Sequence, residues 1–134
     1  MEETENKIKY RTEEHHRRPT SLDGNNSPSN ISYVIPRLHR HWHTLVGNMN
    51  AYQTANKINK MPFKPENVYL ICDFINGNEV KKTGNGDSLN FRKLKNAWDS
   101  LFINCNNFEE IIYYINNVWL DPAYRLRIIN NSEP

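Results

Sequence analysis

Hydrophobic side chains are nearly absent from residues 1–30, where Ile8, Tyr10 and Leu22 stand out against Glu, Lys, Arg, His, Asn, Ser and Pro. Such a segment buries too little surface to offset the entropy of ordering it. It is expected to be a disordered tail, followed by a single α+β domain over 31–134. From Ile31 the pattern changes. Pro36 suits the first turn of a helix, where its missing N–H costs nothing. Leu38, Trp42, Leu45, Met49 and Tyr52 then recur at spacings of four, three, four and three, and Val46 and Ala55 widen the stripe. This predicts an amphipathic helix from about 37 to 60, stopped before Pro62. Gly47 costs it about 1 kcal/mol relative to Ala and is where it would bend or break.

The run VYLICDFI, residues 68–75, is apolar on both faces apart from Asp73, as a strand covered on both sides would be. Asn76-Gly77 is a hairpin turn signal, which predicts a hairpin near 68–83 whose returning strand, with Lys81 and Lys82, forms an exposed edge. Phe91, Leu94, Trp98, Leu101 and Phe102 form the stripe of a second helix near 89–103, after a TGNGDS loop read as a Gly-rich turn with an Asp or Ser cap. A third helix, 108–120, carries Phe108, Ile111, Ile112, Ile115, Val118 and Trp119. Asn107 and Glu110 are spaced as its cap and capping-box partner. In the last segment Tyr124, Leu126 and Ile128 alternate with Arg125 and Arg127, predicting a third strand near 124–129 that pairs beside 68–75. The fold class is thus α+β: a small antiparallel sheet packed by about three amphipathic helices.

Composition changes this picture little. The net charge of +2 is too small to imply a nucleic-acid partner by itself. The tail holds six acids against five bases, so the positive excess belongs to 31–134. The chain is asparagine-rich, which reads as codon drift on solvated positions. No apolar run is long enough for a membrane span, and MEETENKIKY lacks a secretory h-region. Cys72 and Cys105 are expected as reduced thiols. The expected location is cytoplasmic or nuclear.

The candidate chemistry centres on HRHWH, residues 39–43. On a helix His39 and His43 stand at i and i+4, a workable pair of metal ligands, with His41 on the opposite flank. The zincin pattern requires Glu at the second position, and here it is Arg40. Rim histidines are the simpler reading, and His15-His16 joins only if the tail folds back. Asp73 is either a structurally paired acid or a catalytic one. No nucleophile–base arrangement is recognisable, so no catalytic residues and no cofactor are assigned. Arg17 and Arg18 precede Thr20 and Ser21 as in a basophilic phosphorylation site.

The leading functional expectation is a small non-catalytic adaptor or assembly subunit. It would bind a protein partner through its aromatic C-terminal helix, with Tyr113, Tyr114, Trp119 and Tyr124 as anchors. The first alternative is an RNA- or DNA-binding accessory protein using Lys81, Lys82, Arg92, Lys93 and Lys95. The second is a metal-dependent enzyme using His39 and His43, with Asp73.

Overall fold

The computed structural model of this protein describes residues 11–80 and 90–130. Among these, four α-helices and two two-stranded antiparallel sheets make an α+β fold. No helix among them is long and apolar enough to cross a membrane. Lys81, Lys82 and the TGNGDS loop lie outside the described residues.

The helical stripe after Pro36 forms two helices, not one over 37–60. Helix α1 spans Pro36–Leu45 and α2 spans Ala51–Asn59. The break falls at Gly47, which adopts the left-handed region at φ +81. Its N–H and that of Val46 both turn back onto the Trp42 carbonyl, a glycine-terminated helix end. Asn50 then starts α2 with a reciprocal capping box: its side chain accepts from Gln53 N–H, and Gln53 accepts from Asn50 N–H. Helix α3, Phe91–Leu101, is capped by Asn90, not by Asp87 or Ser88. It packs on α1 and buries Leu94, Ala97, Trp98 and Leu101 beside Trp42 and Leu45 of α1. Asn107 caps α4, Phe108–Tyr114, as expected. Glu110 instead reaches Asn106 N–H, one residue short of a full box. The chain continues through a wide π-turn, Ile115–Trp119, with Leu120 N–H bonded to the Ile115 carbonyl at 2.9 Å.

Strands β3, Val68–Phe74, and β4, Tyr124–Asn130, pair with each other in the register Leu70↔Ile128 and Cys72↔Leu126. The predicted third strand is therefore the partner of β3, and among the described residues no strand follows the turn over 75–80, the rest of the expected returning strand lying outside them. Gly77 does turn the chain, at φ +99. Beyond that turn the backbone meets Tyr124, whose hydroxyl accepts Val80 N–H at 2.8 Å. Nor is β3 covered on both sides. Leu70, Tyr124 and Leu126 are buried, while Tyr69, Arg125 and Arg127 line the opposite face and are exposed.

The outer edges of this ribbon are closed by asparagines. Asn59 donates to the Leu70 carbonyl and accepts from Leu70 N–H, at 3.0 and 2.7 Å. Asn116 does the same at Leu126, at 3.0 and 2.9 Å. Each primary amide carries one donor and one acceptor side by side, so it completes a strand edge as a neighbouring peptide would. Asn30 repeats the device at Arg18, at 3.2 and 2.7 Å. These asparagines are structural and not the product of drift on solvated positions.

The largest departure from expectation concerns the tail. Residues 13–16 form β1, Glu13–His16, which pairs with β2, Ile31–Val34, in the register His15↔Ser32. Two 3-10 turns, Thr20–Leu22 and Pro28–Asn30, lie between them. The ribbon is held by polar side chains, which hydrophobic patterning does not register. Ser32 Oγ donates to the Val118 carbonyl at 2.6 Å. Arg17 donates to the carbonyls of Asn116 and Leu120 at 2.6 and 2.8 Å. Arg18 pairs with the buried Asp121.

Replacing Asn59 or Asn116 by Ala strands one backbone donor and one acceptor. Each variant is expected to lose about 1–3 kcal/mol in denaturant unfolding, whereas Asn117→Ala, at an exposed site, stays within about 0.5 kcal/mol. Equal effects at all three positions would refute the edge-closing role.

Candidate metal centre

Helix α1 presents His39 and His43 one turn apart, and their Nε2 atoms lie 3.1 Å from each other. Strand β1 adds His15 from outside the helix. One ring nitrogen from each of the three histidines falls within 4.8 Å of the others. The segment expected to be disordered thus supplies the third imidazole. His41 is not part of the cluster, consistent with its place on the other flank of the helix.

Hydrogen bonds decide which ring nitrogens keep a lone pair. His15 Nε2 lies 2.9 Å from the Trp119 carbonyl oxygen. A carbonyl only accepts, so Nε2 carries the proton and Nδ1 keeps its lone pair. His39 Nδ1 lies 2.7 Å from Glu13 Oε1. It donates to that carboxylate, which leaves His39 Nε2 as a lone-pair donor. His43 Nε2–H then donates to His39 Nε2, and an incoming cation would replace that shared proton, with His43 shifting its own to Nδ1. Histidines that ligate metals ordinarily give their second N–H to a carboxylate or a backbone carbonyl, and both partners are present here.

The wall behind the cluster is aromatic. Trp42 and Trp119 stack at 5.2 Å with planes 17° apart, and the His15 ring meets Trp119 edge-on at 5.0 Å. His15 is only 4 % exposed. Burial pushes its pKa down to about 4, against the Trp119 hydrogen bond, with smaller downward contributions from His39, His43 and Arg17. Burial also lowers His43, and His39 adds to that effect. Both rings are accordingly neutral near pH 7, the form that ligates a metal. On the open side, a cleft of about 210 Å³ is lined by the three histidines with Glu14, His16, Thr20, Ser21 and Asn48.

The other residues singled out in the sequence lie apart from this centre. Asp73 pairs with Arg127 on the outer face of the β3–β4 ribbon, with Nε–Oδ2 at 2.9 Å, and those bonds hold its carboxyl below the usual range. It is an acid paired at the surface of the ribbon. Cys72 and Cys105 are both half-buried. Of the four proposed partner anchors, Trp119 and Tyr124 are core residues, 1 % and 2 % exposed, and are not available as surface anchors. Tyr114 is half-buried and Tyr113 is open, 73 % exposed. Arg92, Lys93 and Lys95 are exposed on α3, and Lys95 pairs with Asp99. Thr20 and Ser21 are exposed, but Arg17 and Arg18 turn inward to the bonds described above, so the motif is not displayed as an extended basic peptide.

Burial of a neutral imidazole makes the stability of the metal-free protein depend on pH. The unfolded chain takes a proton on residue 15 near pH 6.5, whereas the folded chain resists until about 4. Stability therefore falls as pH drops through this window and the effect levels off below it, the unfolded state binding the extra proton. The His15 contribution amounts to about 2 kcal/mol between pH 7.5 and 5. In His15→Asn that part of the slope should vanish from urea unfolding curves, and an unchanged slope would contradict burial of a neutral ring.

No protein-family model matches this sequence, no curated protein shows significant similarity to it, and no solved structure shows significant similarity to its fold.

Proposed function

We propose that this protein is a metalloprotein that holds one zinc-class divalent ion on His15 Nδ1, His39 Nε2 and His43 Nε2. The observation that carries this reading is the convergence of three ring nitrogens, with His15 and His39 each already committing its other nitrogen to Trp119 and Glu13. Tetrahedral zinc with Zn–N bonds near 2.0–2.1 Å sets its ligand nitrogens about 3.3 Å apart. The His39–His43 pair, at 3.1 Å, already has that separation. Nitrogens no more than 4.8 Å apart need a shift of at most about 1.5 Å to close on the ion. Three imidazoles suit zinc, cobalt, nickel and copper and not the oxygen-seeking calcium or magnesium. A bound ion would also tie β1 to α1, and so hold the ribbon against the end of α4.

Titration with cobalt(II) or zinc(II) at pH 7.5 is expected to saturate at one equivalent. At a free metal concentration 100 times the Kd the ion stabilises the fold by about 2.7 kcal/mol, read as a rise in Tm. His39→Ala and His43→Ala each remove a ligand and should weaken binding by more than about 100-fold. Glu13→Gln disturbs only the orientation of His39 and should cost about 10–100-fold. Binding unaffected by any of the three would end the proposal.

The partner-binding reading keeps one observation in its favour. Ile103 and Tyr113 are 76 % and 73 % exposed, and Ile103 borders an apolar groove lined by Trp98, Phe102, Phe108 and Ile111. We propose self-association as its first test. Light scattering should show a concentration-dependent rise in mass that the double variant Ile103→Ser, Tyr113→Ser abolishes while the metal titration stays the same. A constant monomer mass would remove self-association from consideration.

A further inference from the structure

We infer that the fourth coordination position of the three-histidine centre is an exchangeable site for a small anion bearing a carboxylate or phosphate group, bound in the cleft beside it. This inference rests on the metal reading above.

Among the described residues, no fourth His, Cys, Asp or Glu joins the cluster. The acids and the histidine closest in sequence are engaged or exposed. Glu13 is spent on His39 Nδ1. His16 Nε2 is bonded to Asn26 Oδ1 at 2.8 Å. Glu14 is exposed and borders the cleft without joining the cluster. Structural zinc sites are closed by four protein ligands, whereas three protein ligands and an open position mark the sites that exchange water for a substrate or inhibitor.

The open side has the right walls for such exchange. Behind the histidines the stacked Trp42 and Trp119 close off approach from the core. In front, Thr20, Ser21 and Asn48 line the cleft with neutral hydroxyl and amide groups that can donate to an anionic oxygen. Three neutral imidazoles put no anionic ligand on the ion, so its open position favours an anion over a neutral ligand. The size of the cleft, about 210 Å³, bounds that anion. Water occupies about 30 Å³ in the liquid, so the cleft has room for several waters or one compact anionic group, not for a folded partner. Glu14 at the rim disfavours extended polyanions. In the exchange the anion enters as a bound water leaves, and no protein bond is broken.

The experiment uses the full chain loaded with one equivalent of cobalt(II), whose visible d–d bands report coordination. Acetate and inorganic phosphate are titrated separately. Saturable band shifts with either anion support the proposal, and the tighter of the two names the preferred group. The double variant Thr20→Ala, Ser21→Ala should bind that anion about two- to tenfold more weakly while holding cobalt equally well. Bands indifferent to both anions would overturn the proposal by showing a closed site. Shifts of unchanged affinity in the double variant would overturn the placement of the anion in this cleft. A chain that binds no cobalt would instead refute the metal reading itself, before any anion is added.

Discussion

The end of the helix at 108–119 is the constraint on which much of this fold depends. A helix leaves its last four carbonyls without intrahelical donors, and a buried end must find them elsewhere. Here the donors come from nearly a hundred residues away in sequence. Arg17 serves Asn116 and Leu120, Ser32 serves Val118, and His15 serves Trp119. The charge on Arg17 also opposes the negative end of the helix dipole. The wide π-turn shapes this end, since its i→i+5 bond swings successive carbonyls away from the axis.

One set of contacts therefore does two jobs. Strand β1, Glu-Glu-His-His, carries no apolar side chain and could not order itself by hydrophobic burial. It orders because each polar side chain finds a partner that would otherwise be stranded, and the cost of leaving those carbonyls unpaired is what makes the docking favourable. The same contact sets the tautomer of His15. Were Trp119 not accepting from Nε2, nothing would hold the lone pair on Nδ1. Asparagines apply a similar logic at the strand edges, where Asn30, Asn59 and Asn116 each satisfy one residue's donor and acceptor.

This division between local pattern and long-range polar pairing also decides how much of the fold is legible in the sequence. The apolar stripe of Leu94, Trp98 and Leu101, the alternation of Tyr124 and Leu126 with Arg125 and Arg127, and the Asn107 cap all express local periodicity or capping, and each appears in the structure. Gly47 is legible as a weak point, but the Asn50–Gln53 box that begins α2 is hidden inside a continuous apolar stripe. The pairing of 124–129 beside 68–75 is legible from alternation, whereas Asn76-Gly77 signals a turn without specifying which segment returns. The ordered part of the tail, Glu13 to Asn30, escapes a compositional reading, which measures apolar burial and is blind to polar complementarity across long sequence separations. Trp119 and Tyr124 pass for surface anchors because an aromatic side chain looks the same in sequence whether it meets a partner or the core.

The candidate centre divides along the same line. The i, i+4 spacing of His39 and His43 is a local fact, visible in HRHWH. The third imidazole is not local, and two histidines one turn apart on an exposed helix face have no reason to be more than a polar rim. What changes their meaning is rigidity. His15 is buried against Trp119 and anchored through its backbone pairing with Ser32, while His39 is held by Glu13 from the same strand. Strand β1 therefore supplies both the third imidazole and the carboxylate that orients His39. On the proposed metal reading, affinity for the ion and docking of the ribbon are two readings of one equilibrium: whatever loosens β1 disperses the donors, and whatever gathers the donors holds β1 in place.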